Sequence, residues 1–500
     1  PVCQKVVSWT ALTQAQHSEG FGETADGGHY YLAEDITANS SSSFITGPAR
    51  KSGVPYVACF HLNGHNITNT GSGVIGGNSG ILNVMGSGVV TGNRSTSDSN
   101  YAATVSINTT ADTGVVNLYS GTYTKPESNK QKSIVSVNNN GGTINPNALE
   151  EIILPDSVET IGKSAFSGCS KLTSVTLPSS LMAIGDQLFQ NCAALEEITL
   201  QQNIDSIGAS AFANTALKKI DIPATVTSIG RSAFSGAKTL RKVTFVGNSR
   251  LSTLGGRAFE NCAELEEINL PDTLAELQDG TNLLGTFKGC TSLKSINLPG
   301  VSKIPAQTFE GCSSLETVVL GDNLLEIGEK AFYGNTSLVS IEIPATVITI
   351  GTSAFEDCTS LKSAIFADGN AITSLGTASD ANDNIFKNTP ALKTVVLPNT
   401  LQFIGGHVFE NSGISEVSFA AMTELTSIGD YAFANCDNLN KVTFKAPAAA
   451  VDGEDDAVVP TLTVGDSAFL NCKALTDDFK LPSYTTHIGA AAFQGCEFTK

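Results

Sequence analysis

From about residue 148 onward, apolar and polar positions recur in one order. The order is Leu-x-x-Ile-x-Leu-Pro-x-x-Leu-x-x-Ile-Gly-x-x-Ala-Phe-x-x-Cys, as in Leu172, Val175, Leu177, Pro178, Leu181, Ile184, Gly185, Phe189 and Cys192. Its Phe marks fourteen copies, from Phe166 to Phe493, mostly 22 to 25 residues apart. Longer intervals before Phe287, Phe386 and Phe469 mark insertions inside ordinary repeats. The end of Leu-x-x-Ile-x-Leu alternates with period two, which predicts a short strand with one buried face. Pro cannot donate to a ladder and stops the strand, and the Ile-Gly step turns the chain. Ala-Phe-x-x-Cys-x-x-Leu has the i, i+3 spacing of one short helical turn. A single unit cannot bury its own apolar face, but stacked units share a continuous core. The pattern therefore predicts a solenoid: mostly β with short helical turns, about fourteen repeats over 148–500, and a parallel sheet along one side.

This consensus resembles the leucine-rich repeat family, specifically the BspA-like class found in surface proteins of anaerobic bacteria and some mucosal protists. The resemblance spans about 350 residues. It implies a right-handed superhelix and a cell-surface, adhesion or host-interaction role.

Nine of the eleven Cys occupy the slot three residues after the repeat Phe, among them Cys192, Cys312 and Cys472. Other repeats place Thr215, Ala237, Asn335, Thr389 or Ser412 there. Such a slot wants a small buried side chain with at most a weak hydrogen bond, so these thiols are expected to be free core residues and not a disulfide or zinc framework. Cys3 and Cys59 are left over, with a disulfide between them open.

Residues 1–147 differ. They hold six of the nine Tyr, four of the six His and the single Trp9, amid Asn, Gly, Ser and Thr. Short apolar alternations (Phe60 and Leu62, Val84, Ile107, Leu118, Val137) recur as rungs of a parallel β-helix, with Leu62, Val84 and Ile107 stacked. The phrases around His61–Thr68 and Tyr30–Ile36 are similar to short pectin-lyase-like β-helices, which implies a small right-handed parallel β-helix. A polysaccharide lyase needs clustered carboxylates for calcium and a basic proton acceptor, yet Asp35, Asp98 and Asp112 are scattered, as are Arg94 and Lys125. His61 and His65 flank an Asn-Gly turn and read as turn-edge polar residues. A capping role for this domain, packed on the first repeat, is the expectation.

Outward strand positions of the repeats form an acidic rung, two basic rungs and another acidic rung: Glu196 and Glu197, Lys218 and Lys219, Arg241 and Lys242, then Glu266 and Glu267. They read either as cross-strand pairs or as a local basic patch for an acidic partner. Further on, the position before the last strand Leu becomes apolar at Val319, Ile365 and Val396, interrupted by Glu342. These side chains form either a sticky patch or ordinary strand surface. That face lacks Trp and is poor in Tyr, so protein recognition is favoured there over glycan recognition.

Composition narrows the classes. Lys and Arg number 29 against 48 Asp and Glu, a net charge of −19, which argues against nucleic acid. No run of about 18 apolar residues exists to span a bilayer. The acidic insertions 368–383 and 452–456 read as solvated loops, and sequons occur at Asn39, Asn66, Asn93, Asn108 and Asn335. The expectation is a monomeric, non-enzymatic recognition or adhesion protein, extracellular or on the cell surface, with secretion signal and anchor outside this sequence. It uses no cofactor or metal and binds a host or cell-surface protein through the sheet face. The alternative is an N-terminal domain that binds or cleaves a polysaccharide, with the repeats as spacer; a third is a purely structural stalk.

Overall fold

The structure is a computed structural model. It describes 151–154, 161–277, 284–376, 382–422, 424–445, 461–476 and 478–498, together with the strands of the first 150 residues and a few positions beside them. By its internal contacts the chain forms two compact units: Pro1–Leu240 with Val246–Ser249, and Arg241–Phe245 with Arg250–Lys500. The boundary expected at 147/148 lies inside the first.

In the first unit, three parallel stacks alternate along the chain. One comprises Thr10–Leu12, His29–Leu32, Val57–His61, Ile81–Met85, Val115–Leu118 and Thr143–Ile144. The second holds Ile36–Ala38, Ile67–Asn69, Val89–Gly92 and Thr122–Thr124, and the third Ile45–Thr46, Ile75–Gly77, Val105–Ile107 and Val135–Val137. Leu32, Ile36, Phe60, Leu62 and Ile67 are buried. The expected stacking of Leu62, Val84 and Ile107 needs correction: Val84 pairs with Phe60 and Leu118, whereas Ile107 pairs with Gly77 and Val137 on another face. Coils of unequal length defeat a count at constant period. Thr122–Thr124 lies against Glu151–Ile153, the first strand of the repeats.

The repeats of both units are β-solenoid coils, and most contribute two strands instead of the single one expected. The first is the predicted strand: Ser340–Ile343, Ser363–Phe366 and Thr394–Val396 run parallel in one sheet of the second unit. The second is a two-residue strand ending at Ile of Ile-Gly, such as Ser206–Ile207 and Ser228–Ile229. It forms because the Gly after it donates to the preceding rung, as Gly230 does to Ile207 O at 2.7 Å. A Cβ on Gly230 would lie 2.8 Å from Ala209 N, so only glycine permits this approach.

The predicted helical turn is not helical. Two residues per repeat, two before and two after the Phe, have positive φ: Ser164 and Gly168, Gln187 and Asn191, and so on to Ala491 and Gly495. Among described residues there is no α-helix. Alternate N–H groups then point along the stack: Ser164, Phe166 and Gly168 donate to Asp186, Leu188 and Gln190 of the next repeat at 3.0, 3.1 and 2.7 Å. The intervening N–H groups close local turns, as Cys169 does to Phe166 O. The cost of a non-glycine residue at positive φ, about 1–3 kcal/mol, is offset by this ladder, which recurs between successive repeats within each unit.

Inside the turns lies the core. The Phe rings stack, Phe166 to Phe234 in the first unit and Phe259 to Phe493 in the second, with centroids 5.2–5.7 Å apart. Such pairs add ~0.5–1.5 kcal/mol beyond area burial. The repeat thiols are free, and all but the half-buried Cys496 are buried. Each Sγ shown with a partner donates to the Phe carbonyl of the previous repeat: Cys192 to Phe166 O at 3.1 Å and Cys312 to Phe287 O at 3.2 Å. Thr215 and Thr389 instead donate to the Phe of their own repeat. Hence the slot takes a small side chain, usually a donor, though Ala237 fills it with none. Asn335 breaks the rule: it is fully buried and neither amide atom has a partner. Its burial also removes the Asn335 sequon as a glycosylation acceptor.

Candidate functional site

The charged rungs are held by one another. In the first unit Lys218 Nζ meets Glu196 Oε2 at 2.6 Å. In the second, Lys242 Nζ meets Glu267 Oε2 at 3.2 Å and Arg241 meets Glu264 at 2.9 Å. Glu197, Lys219 and Glu266 are exposed and form no ion pair among the described residues. Because an acidic rung stands on the outer side of each basic rung, Lys218 and Lys242 reach across the strand spacing to a partner of opposite sign. Exposed pairs of this kind contribute ~0–1 kcal/mol each, and they neutralise much of the charge that a basic patch would need.

A different surface lies farther along the same face in the second unit. Val319, Ile365 and Val396 are 58 %, 40 % and 46 % exposed. Register places Ile365 directly between Glu342 and Val396 on neighbouring strands. Thr317–Leu320, which carries Val319, lies against Ser340–Ile343, the strand of Glu342. Val339, at the start of that rung, is also exposed. Strand alternation fixes the arrangement: Val318, Ala364 and Val395 turn inward, so the residues after them must turn out. Lys362 and Lys393 stand exposed on the two rungs of Ile365 and Val396, with no ion pair among the described residues. The aliphatic stripe and these lysines are adjacent; the charged rungs around Lys218 belong to the other unit.

Sequence reasoning missed two features of the turn side. One is an amide ladder two residues after each Phe, where Asn388 donates to Asp357, Asn411 to Asn388, Asn435 to Asn411 and Asn471 to Asn435, at 2.8–3.0 Å. Its signal was present: Asn and Asp tolerate positive φ, and they fill the second x after Phe wherever Gly does not. The other is a cluster of Lys387, Glu410 and His407. Lys387 Nζ and His407 Nδ1 lie 2.8 and 2.6 Å from Glu410 Oε2, and His407 stacks on Tyr431 at 4.8 Å. Burial raises the Glu410 carboxyl, but Lys387 and His407 together outweigh it and hold the carboxyl below its usual range.

Near the N-terminus, Asp35 accepts from Asn66 N at 2.7 Å and from Asn66 Nδ2 at 3.2 Å, with His65 at 3.4 Å. The backbone N–H of Asn66 is the largest influence lowering the Asp35 carboxyl. Asp35 thus joins His65 and Asn66 to the neighbouring coil. Arg94, Asp98, Asp112, Lys125, the pairing of Cys3 with Cys59, and the acidic loop 452–456 lie outside the described residues. Among the described residues, no group of three His, Cys, Asp or Glu could hold a metal, and no helix is long and apolar enough to cross a membrane.

This repeat architecture, with its Phe stack, small-donor slot and paired parallel strands, is that of a leucine-rich repeat solenoid. The BspA type leucine rich repeat region matches in six copies over 144–248, 205–284, 284–382, 379–452 and 459–500, and the chain belongs to that family. Among solved structures, it is similar to a leucine-rich repeat protein from Bacteroides ovatus at 25 % identity and TM-score 0.51, covering 75 % of this chain and 91 % of that one. It is also similar to a leucine rich cell surface protein from Faecalibacterium prausnitzii, at 25 % identity and TM-score 0.35 over 59 % of this chain and 83 % of the other. The pneumococcal vaccine antigen PcpA is 20 % identical with TM-score 0.31, covering 63 % of this chain and 79 % of its own. No curated protein matches the sequence.

Proposed function

We propose that this is a non-enzymatic recognition protein, displayed on a cell surface or secreted, that binds a protein partner through the first-strand sheet face of its second unit. The observation that carries the reading is the exposed aliphatic pair Ile365 and Val396 on adjoining strands, with exposed Val319 on the far side of the Glu342 rung. Exposed aliphatic side chains side by side lower the cost of desolvating an interface. The unpaired Lys362 and Lys393 beside them favour an acidic rim on the partner. The charged rungs from Glu196 to Glu267 contribute solubility and register more than affinity, because Lys218 and Lys242 are already engaged. Membership of the BspA-type family supports extracellular placement. The three-stack region before residue 148 acts in this reading as a cap on the first repeat.

A binding assay on epithelial cells tests the partner class. Saturable binding of the full chain should vanish when the cells are pretreated with protease and persist after glycosidase treatment. Loss with glycosidase alone would overturn the protein-partner reading.

A further inference from the structure

We propose that the second-strand sheet of the second unit carries a separate site for a neutral oligosaccharide. The strands Ser374–Leu375, Phe403–Ile404, Ser427–Ile428, Leu462–Val464 and Thr485–Ile488 run parallel in that order. An open groove of about 660 Å³ runs along them. Register aligns Ser374, Phe403, Ser427, Thr463 and His487 along its floor. One wall is Thr373, Gln402 and Thr426; the other carries Asp430 and Asp466. Gly406 lines it at the position that Asp430 and Asp466 fill on the following rungs.

The chemistry of this lining is selective. Asp430 Oδ1 accepts Asp466 N at 2.7 Å and Asp466 Oδ1 accepts Ala490 N at 2.6 Å. Each carboxylate is thereby oriented, with its second oxygen left to accept a hydroxyl. Thr463 donates towards Thr426 O and Ser427 Oγ at 3.3 and 3.1 Å, and Thr426 donates to Gln402 O at 3.1 Å, so their oxygen lone pairs face the groove as acceptors. Gln402 adds an exposed amide with both donor and acceptor, and half-buried Phe403 adds an apolar ring between two serine hydroxyls. A pyranose, with hydroxyl edges and a C–H face, matches this mixture. Rungs about 4.8 Å apart repeat at close to the length of one pyranose in an extended chain.

Other ligands fit less well. The lining contains no Lys or Arg and two carboxylates, which disfavours anions. The inner rungs are paired on both sides, so a peptide cannot add as a strand. Ser, Thr and Gln offer no pocket for a large apolar anchor. This site is independent of the aliphatic stripe, and either can fail without the other.

Calorimetric titration of the full chain with tetrasaccharides of β-1,4-linked glucose, xylose and mannose and of α-1,4-linked glucose tests it, with tetralysine as the cationic control. At least one sugar should bind at millimolar concentration or below. Gln402→Ala and Phe403→Ala should each weaken it by about tenfold, the loss of one good contact, while Val319→Lys leaves it unchanged. Gln402 is exposed, so its variant keeps the fold. The proposal is overturned if none of the four sugars binds, if the sugar binds both groove variants as tightly as wild type, or if tetralysine binds and the sugars do not.

Discussion

Each repeat has a side that scarcely changes and a side that changes at every rung. The turn side repeats Phe and the two positive-φ residues fourteen times, with a small side chain in nearly every slot that follows. Outward strand positions carry paired charges at Glu196 and Lys218 in the first unit, and in the second both the pair Lys242 and Glu267 and bare aliphatics at Val319, Ile365 and Val396. Constancy belongs where each side chain must fit its copy above and below, because a changed residue disturbs two neighbouring rungs at once. Outward positions contact solvent and only their cross-strand neighbours, so they are free to be chosen for recognition.

The largest break in this comparison is a core truncation. Phe332→Ala removes a ring stacked on both sides and should cost about 3–5 kcal/mol, read as a lower urea midpoint or a new, earlier transition of the repeats around it. A loss below about 1 kcal/mol would mean that the stack is not what holds the turn side.

Next, the one misfit in the constant slot should be improvable. Asn335→Thr supplies a hydroxyl placed like that of Thr215, which donates to Phe212 O at 2.9 Å. Removing two unpaired amide atoms should stabilise the chain by about 1–3 kcal/mol. An unchanged or lower midpoint would show that Asn335 has a partner, such as a buried water.

A smaller effect follows from the thiols. Burial pushes Cys312, Cys358 and Cys436 up to about 12 from 9.0. The folded chain therefore holds these protons more tightly than the unfolded one. Their contribution is complete below pH 9 and is lost as pH rises towards 12. Compared with Cys358→Ser, the wild type should lose on the order of 1 kcal/mol per pH unit across that window. Parallel pH profiles of the two chains would contradict the burial of that thiol.

How much of this was readable in the residues depends on which atoms carry the information. The repeat, its first strand, the Phe core and the small slot follow from side-chain periodicity alone. The second strand does not, since two residues before Gly are too few to show alternation. Nor does the positive φ two residues before Phe: Ser164, Gln187, Arg257, Lys330 and Tyr431 share no property that favours it, and the inter-repeat ladder imposes it. The order of acidic and basic rungs was visible, but the closure of Lys218 on Glu196 depends on rotamers that only the packed rungs select. In the first 147 residues, coils of unequal length hid which apolar residues share a face.

The smallest expected effect on stability tests the other half of the comparison. Val319→Lys, Ile365→Lys and Val396→Lys together exchange exposed side chains. Surface changes of this kind usually stay within about 0.5 kcal/mol each.

The most direct measurement is saturation binding of this triple variant to epithelial cells, made where its urea midpoint shows it as fully folded as the wild type. The account predicts a folded chain that no longer binds. A folded triple variant that binds as tightly as the wild type would contradict it.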